Sequence, residues 1–179
     1  MKFEYTFDSL CLKVLDESFA PQVLDFYDYN REDFDRYEAD KPYNFYTIEY
    51  ISATLKAEYN ALLKGEFGRF FLFSSDLPGQ ILGTVSFSSV TGLNHSCRIG
   101  YKIDRRYRKL GLGSLMLRHA LDILVKDKEM HRIEAYVHPD NIPSLTLVKK
   151  MHFIPEGTAH SYVKIGGQWQ DHLRFVYIS

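Results

Sequence analysis

The most constraining part of this 179-residue chain runs from Arg98 to His138. Arg98 to Asp104 reads as a strand. From Leu112 to about Lys126, residues Leu112, Leu115, Met116, His119, Ala120, Ile123 and Leu124 recur at helical spacing and predict an apolar stripe. Arg132 to His138 alternates again, with Ile133, Ala135 and Val137 on one side. A strand–helix–strand unit crosses over with a right hand and lays its two strands parallel. The chain is thereby committed to a sheet that helices must cover.

The rest of the chain extends that sheet. Ser9 to Leu15 predicts a first strand, and Pro21 opens a short helix with Val23, Leu24, Phe26 and Tyr27. Tyr29 to Tyr46 is acidic and aromatic without a clean period, so it reads as a loop or broken helix. Thr47 can cap a helix to about Lys64, ended by Gly65 and Gly68. Arg69 to Ser74 and Gln80 to Ser88 read as strands around the turn Asp76-Leu-Pro-Gly79, the second with Ile81, Gly83, Val85 and Phe87 on one face. Asn141 to Met151 predicts a helix capped by Asn141. His160 to Ile165 and Gln168 to Ile178 form a closing hairpin about Gly166-Gly167. The result is a mixed α/β sheet with helices on both faces.

Composition narrows the class. A single domain over 1–179 is expected, large enough to bury roughly 70% of its unfolded surface without staples. Twenty-two basic against twenty-three acidic residues leave a net charge of −1, without the basic excess of generic nucleic-acid binding. Cys11 and Cys97 are too few and too distant for a disulfide framework or a zinc site, so no metal is expected and both read as buried free thiols. The acidic N-terminus lacks a signal-peptide pattern, and no apolar run reaches membrane-spanning length. The expected address is the cytoplasm, with no membrane partner.

The chemistry lies where the Arg98 strand meets the Leu112 helix. Asp104-Arg-Arg-Tyr-Arg-Lys-Leu-Gly-Leu-Gly-Ser114 is a short basic loop feeding a helix N-terminus. The first N–H groups of a helix lack intrahelical partners, and its dipole places about half a positive charge there. Gly111 and Gly113 remove side chains that would keep a phosphate away. Together they predict an anion site, best suited to a pyrophosphate. The spacing fits neither a Walker loop nor the three-glycine dinucleotide fingerprint. The plainer alternative is a tight turn beside a solvated basic run.

Arg108-Lys-Leu-Gly111-Leu-Gly113 resembles the Arg/Gln-x-x-Gly-x-Gly/Ala signature of the GCN5-related N-acetyltransferases (GNAT), which bind acetyl-coenzyme A (acetyl-CoA). Ile99-Gly-Tyr-Lys-Ile103 is similar to the strand before that loop. Val137-His-Pro-Asp-Asn141-Ile-Pro-Ser144, Lys150-Met-His-Phe153-Ile-Pro-Glu-Gly157 and the tail Tyr162 to His172 resemble the RimJ/RimL branch. The resemblance is good from about Gly83 to Tyr177 and weak over the first 65 residues. It implies a mostly antiparallel twisted sheet with a splayed central parallel pair. It also implies that acetyl-CoA is held by Arg108, Lys109, Leu110, Gly111, Leu112, Gly113 and Ser114, and by the backbone of Tyr101, Lys102 and Ile103, where the cofactor arm pairs like another strand. A backbone N–H near Ile103 would face the thioester oxygen. Asn141 is implied as a contact to the arm, or a simple cap. Lys150 is implied as a phosphate contact, or a solvated lysine.

The acid and base are read through the same resemblance. Many relatives carry Tyr about where Val148 stands, to protonate the departing thiolate. Ser144 remains as the implied general acid. Relatives often have a carboxylate ahead of Ile99, whereas this chain has Arg98, leaving Glu134 and His138 as candidate bases. A weak base favours an acceptor of low pKa. An α-amine near 7.8 is roughly one-seventh neutral at pH 7, a lysine amine near 10.4 only about four parts in ten thousand, a gap of about 3.5 kcal/mol. The implied reaction is direct attack by an amine in a ternary complex, the acceptor being a peptide or protein N-terminus. Alternatives are a small cationic amine such as a polyamine or aminoglycoside, or a non-catalytic coenzyme A-binding module. The acidic stretch Asp25 to Tyr46 could steer a basic partner or be a solvated surface. A homodimer is compatible with the resemblance.

Overall fold

The computed structural model describes residues 2–179. Its strands are β1 (Glu4–Phe7), β2 (Leu10–Lys13), β3 (Gly68–Ser74), β4 (Gly83–Thr91), β5 (Ser96–Ile103), β6 (Arg132–Val137), β7 (Ile154–Ile165) and β8 (Gln168–Ile178). The helices are α1 (Ala20–Tyr29), α2 (Arg31–Asp35), α3 (Ile48–Lys64), α4 (Leu112–Lys128) and α5 (Ile142–Lys150). All eight strands join one sheet in the order β1-β2-β3-β4-β5-β6-β8-β7. Neighbours are antiparallel except β5 and β6, the parallel pair made by the α4 crossover.

Strand alternation builds a core on each face. On β3, Phe70 and Leu72 join Val85, Phe87, Ile99, Met116, Leu117 and Val148 beneath α4 and α5. Phe71 points the other way, to Val23, Phe26, Ile51 and Leu55 of α1 and α3. Phe71 is 1% exposed, a burial worth about 1.5–3 kcal/mol.

Local signals placed α3 well. The Thr47 hydroxyl accepts from the Tyr50 N–H at 3.2 Å, and Gly65 closes the helix at φ 77°. Tertiary contacts moved other boundaries. β1 pairs with β2 as an unforeseen hairpin, and β7 starts at Ile154, ahead of the expected His160. Within the irregular stretch, α2 is one short helical piece. Ile81 lies on the α1–α3 side because β4 begins only at Gly83, so the alternation through Val85 and Phe87 does not reach back to it. On α4, Leu117 and Leu121 are buried while Leu115 is 37% exposed. His119 instead stacks on Phe7, ring centroids 3.7 Å apart. The crossover turns α4 toward the sheet through Leu117 and Leu121 rather than Leu115.

Candidate active site

The parallel pair stops almost as soon as it starts. β5 and β6 are in register only at Ser96↔Arg132, Cys97↔Ile133 and Arg98↔Glu134. Beyond Arg98, β5 continues to Ile103 against β4 alone. The Asp104 N–H donates to Leu82 O on the β4 side at 2.9 Å. Backbone direction alternates along a strand, so the N–H and C=O groups of Ile103 and Tyr101 point to the opposite edge, into the gap. A sheet edge of unpaired groups is a template for an extended chain.

The gap leads to the glycine loop. Residues 108–111 are exposed, Leu110 at 67%. Lys109 and Gly111 have φ 64° and 82°, and Gly111 caps α4. A side chain at Gly111 would meet nothing within 4 Å, so the left-handed backbone rather than crowding calls for glycine there. Leu112, Gly113 and Ser114 form the first helical turn, where the peptide N–H groups gather. Gly113 lies on the side of α5 and β5, a Cβ there falling 3.4 Å from Leu147 and 3.5 Å from Ile103. Arg108 turns sideways. Its guanidinium is 3.2 Å from Asp33 and reaches Ile103 O at 3.4 Å.

Two residues the sequence reading missed hold this loop. Asn30 and Asp104 are fully buried. The Asn30 amide donates to Phe26 O at 2.8 Å and to Asp104 Oδ2 at 3.0 Å, while its oxygen accepts from the Arg105 N–H at 2.8 Å. Asp104 also accepts from the Arg106 backbone at 2.9 Å and from its guanidinium at 2.7 Å. Burial pushes the Asp104 carboxyl up, but Arg106 and Asn30 outweigh it and hold it below the usual range. A polar pair so far apart in the chain leaves no mark in local pattern.

On the α4–α5 side, Asn141 Oδ1 accepts from the Ser144 N–H at 3.2 Å, the expected cap. Ser144 Oγ lies 2.7 Å from Tyr101 Oη, so a phenol from β5 meets the candidate acid from α5 across the gap. Burial, against the Ser144 hydrogen bond, pushes the Tyr101 phenol up to about 12. It stays protonated near neutrality and can donate. Val148 is completely buried, packed in the core. Lys150 is exposed in the last turn of α5.

The opposite face holds the candidate bases. Glu134 accepts from Arg132, Tyr136 and Arg174, each at 2.9 Å. Burial raises its carboxyl, but these donors prevail and hold it below the usual range. His138 Nδ1 accepts from the Asp140 N–H at 3.1 Å, and its ring lies 5.5 Å from Tyr37. The Lys102 side chain also points this way, 3.2 Å from Glu38 and over the rings of Tyr27 and Phe34. The acidic stretch is thus largely engaged. Asp33 meets Arg108, Asp35 meets Lys41 and Tyr46, and Asp40 accepts from the Gly166 and Gly167 N–H groups at 2.6 and 3.0 Å. Those contacts strap residues 36–47 across the gap to the β7–β8 hairpin.

Cys97 is 2% exposed, and burial beside Glu134 pushes its thiol up to about 12. Cys11, expected to be buried, is only partly so, and that partial burial and Glu4 raise its thiol as well. Among the described residues no cluster of three metal-ligating side chains exists. Nor is any helix there long and apolar enough to cross a membrane.

A splayed parallel pair beside a glycine-led helix is the arrangement expected above for a coenzyme A-dependent acyltransferase. The chain belongs to the acetyltransferase (GNAT) domain family, which it matches over residues 10–154. It is 30% identical to the [ribosomal protein uS5]-alanine N-acetyltransferase of Escherichia coli (strain K12), over 96% of this chain and 89% of that protein. It is 29% identical to the probable N-acetyltransferase YjcK of Bacillus subtilis (strain 168), over 92% and 91%. The crystal structure of ribosomal-protein-S5-alanine acetyltransferase from Vibrio fischeri matches with a TM-score of 0.91 and 25% identity, covering 99% of this chain and 97% of that one. This protein is accordingly an acetyl-CoA-dependent N-acetyltransferase of the RimJ/RimL type.

Proposed function

We propose that this enzyme acetylates the α-amine of a protein or peptide N-terminus in the cytoplasm. The observation that carries the reading is the open β5 edge leading to the Gly111-capped start of α4. Near-full-length similarity to ribosomal-protein alanine acetyltransferases favours an α-amine among the possible acceptors.

The gap fits the cosubstrate on the chain's own chemistry. Tyr101 and Ile103 turn backbone groups into the gap, where an extended amide-bearing arm can pair with them, the Ile103 carbonyl by exchanging its contact with Arg108. Leu112 and Gly113 offer N–H groups to phosphate oxygens, the Ser114 N–H shares itself between them and Gly111 O at 3.0 Å, and Lys109 is a nearby cation. Arg108 joins them by exchanging Asp33 for phosphate, and Lys150 from the end of α5. Asn141 starts α5 beside the gap. Bound acetyl-CoA supplies the activated acetyl thioester. Ser144, backed by the Tyr101 phenol, holds a proton where the thiolate departs. A thiol has a pKa near 8.5, so a donated hydrogen bond suffices there. The raised thiols of Cys97 and Cys11 argue for direct attack by the amine, without a covalent enzyme intermediate. Glu134, bound by three donors, is a poor proton acceptor, and His138 lies on the acceptor side.

Thiol release from acetyl-CoA, measured against N-terminal peptides, polyamines and aminoglycosides, tests the reading. Peptides starting with Ala or Ser should give the highest kcat/KM, and their Nα-acetylated forms none. Preference for a polyamine or aminoglycoside would make the acceptor a small amine. Acetyl-CoA binding without turnover on any acceptor would leave only a coenzyme A-binding module.

A further inference from the structure

One buried group on the acceptor side is unused by that reading. His172 on β8 is 4% exposed, and its Nδ1 is buried without a hydrogen-bond partner among the described residues. Buried polar atoms are nearly always paired, so this atom calls for a ligand. Strand alternation explains its aim. Leu173 and Phe175 pack toward α4 and α5, which turns His172 and Arg174 to the face where residues 36–47 span the gap. The His172 ring lies 5.4 Å from Tyr162 on β7 and 5.6 Å from His138, which follows β6. Tyr162 stacks on Tyr136 at 4.3 Å, and Tyr37 closes over His138. β6 and β8 pair up to Val137↔Leu173, beyond the point where β5 has left. The histidines therefore stand on the diverging half of the gap.

Aromatic walls and a neutral base suit an arriving ammonium. The titratable or charged groups around His172 are Tyr136 from β6 and His138 just after it, Tyr162 from β7, Arg98 from β5 against Tyr136 and Tyr162, Asp171 and Arg174 from β8, and Tyr37 by way of His138. Arg174 is committed to Glu134 and Glu156, and Asp171 bonds His160 and the Ser161 N–H. Burial, opposed by the backbone at Gln170 and Asp171 and assisted by His138, holds the His172 imidazole below its ordinary value and favours its neutral form. Resting on the acetyltransferase reading, we propose that His172 is the base that deprotonates the acceptor ammonium. One N–H bond of the ammonium breaks, an N–H bond forms on the imidazole, and the nitrogen keeps the electron pair with which it attacks. The proton passes to solvent when the acetylated product leaves.

His172→Asn tests this, because its amide replaces Nδ1 as a polar atom but takes up no proton. With an Ala-initiated peptide, kcat should fall about 100-fold or more, the lower range for a general base, at unchanged acetyl-CoA affinity. The wild-type kcat should decline at acid pH as the imidazole protonates. In the variant that limb should give way to one following the amine's own ionisation near 7.8. A variant kcat within about threefold of wild type, or an unmoved acid limb, would overturn the proposal. Should the variant fail to fold, ¹⁵N-histidine NMR of the wild type decides. The ionisation midpoint of His172 in the acetyl-CoA complex should coincide with the kcat limb, and a mismatch overturns the assignment. Wild-type protein that transfers acetyl to no acceptor is a separate result, and it defeats the underlying reading itself.

Discussion

The two sides of the β5–β6 gap are built in opposite ways. The proposed coenzyme side is mostly one continuous stretch, from Tyr101 to Ser114, in which a strand end, a glycine turn and a helix start follow in order. The proposed acceptor side gathers Tyr37, His138 and the hairpin pair Tyr162 and His172 from three distant segments. A dinucleotide-like diphosphate is the same for every acetyl-CoA enzyme, so backbone geometry serves it. An acceptor must be told from its competitors by side chains.

The largest expected effect strikes the coenzyme side. Gly111→Glu places a carboxylate where the diphosphate would lie, and two like charges about 4–5 Å apart repel by about 3–4 kcal/mol at a surface. Acetyl-CoA affinity measured by calorimetry should drop by about 100-fold or more. Gly111→Ala, with φ strain of about 1–2 kcal/mol but no charge, should lose only about tenfold. Equal losses would mean that backbone shape rather than charge does the gripping.

A middle-sized effect should come from the buried polar link. Asn30→Ala strips partners from Asp104 and from the Arg105 N–H, costing about 1–3 kcal/mol, with Tm falling about 2–4 °C for each kcal/mol. Acid unfolding should sharpen the test. The folded Asp104 carboxyl lies below its ordinary value, so its stabilisation is full above about 3.9 and drains as pH falls through the folded value. Losing the Asn30 donor raises that value, so the variant should unfold at a higher pH. An unshifted acid midpoint would show that Arg106 alone holds the carboxylate.

The smallest effect belongs to the acceptor side. Tyr37→Ala removes one ring from His138, worth about 1 kcal/mol, and should raise the acceptor KM about fivefold. The acetyl-CoA KM should not move. A change in the second constant instead of the first would erase the division between the two sides.

The legibility of this chain follows the same division. Thr47, Gly65, Asn141 and the Gly111 turn act through neighbours a few residues away, and the structure puts them where local chemistry requires. Ile81 and Leu115 depart from the faces their spacing predicts, because which face an element buries depends on how it docks. β1 carries no local signature, because two four-residue strands become a hairpin only beside β3. His172 sits in an ordinary-looking strand, and nothing in Gln170 to Arg174 announces a buried unpaired nitrogen.

From residues alone came the crossover, the parallel pair and the loop suited to a diphosphate, since helix periods, strand alternation and glycine turns act over a handful of positions. Three-dimensional packing alone decided where β5 parts from β6, that Tyr101 meets Ser144, that Asn30 secures Asp104, and which histidine is buried. Those pairings join residues from about 40 to more than 70 positions apart, and only the collapse of both cores around one sheet brings such distant groups within bonding distance.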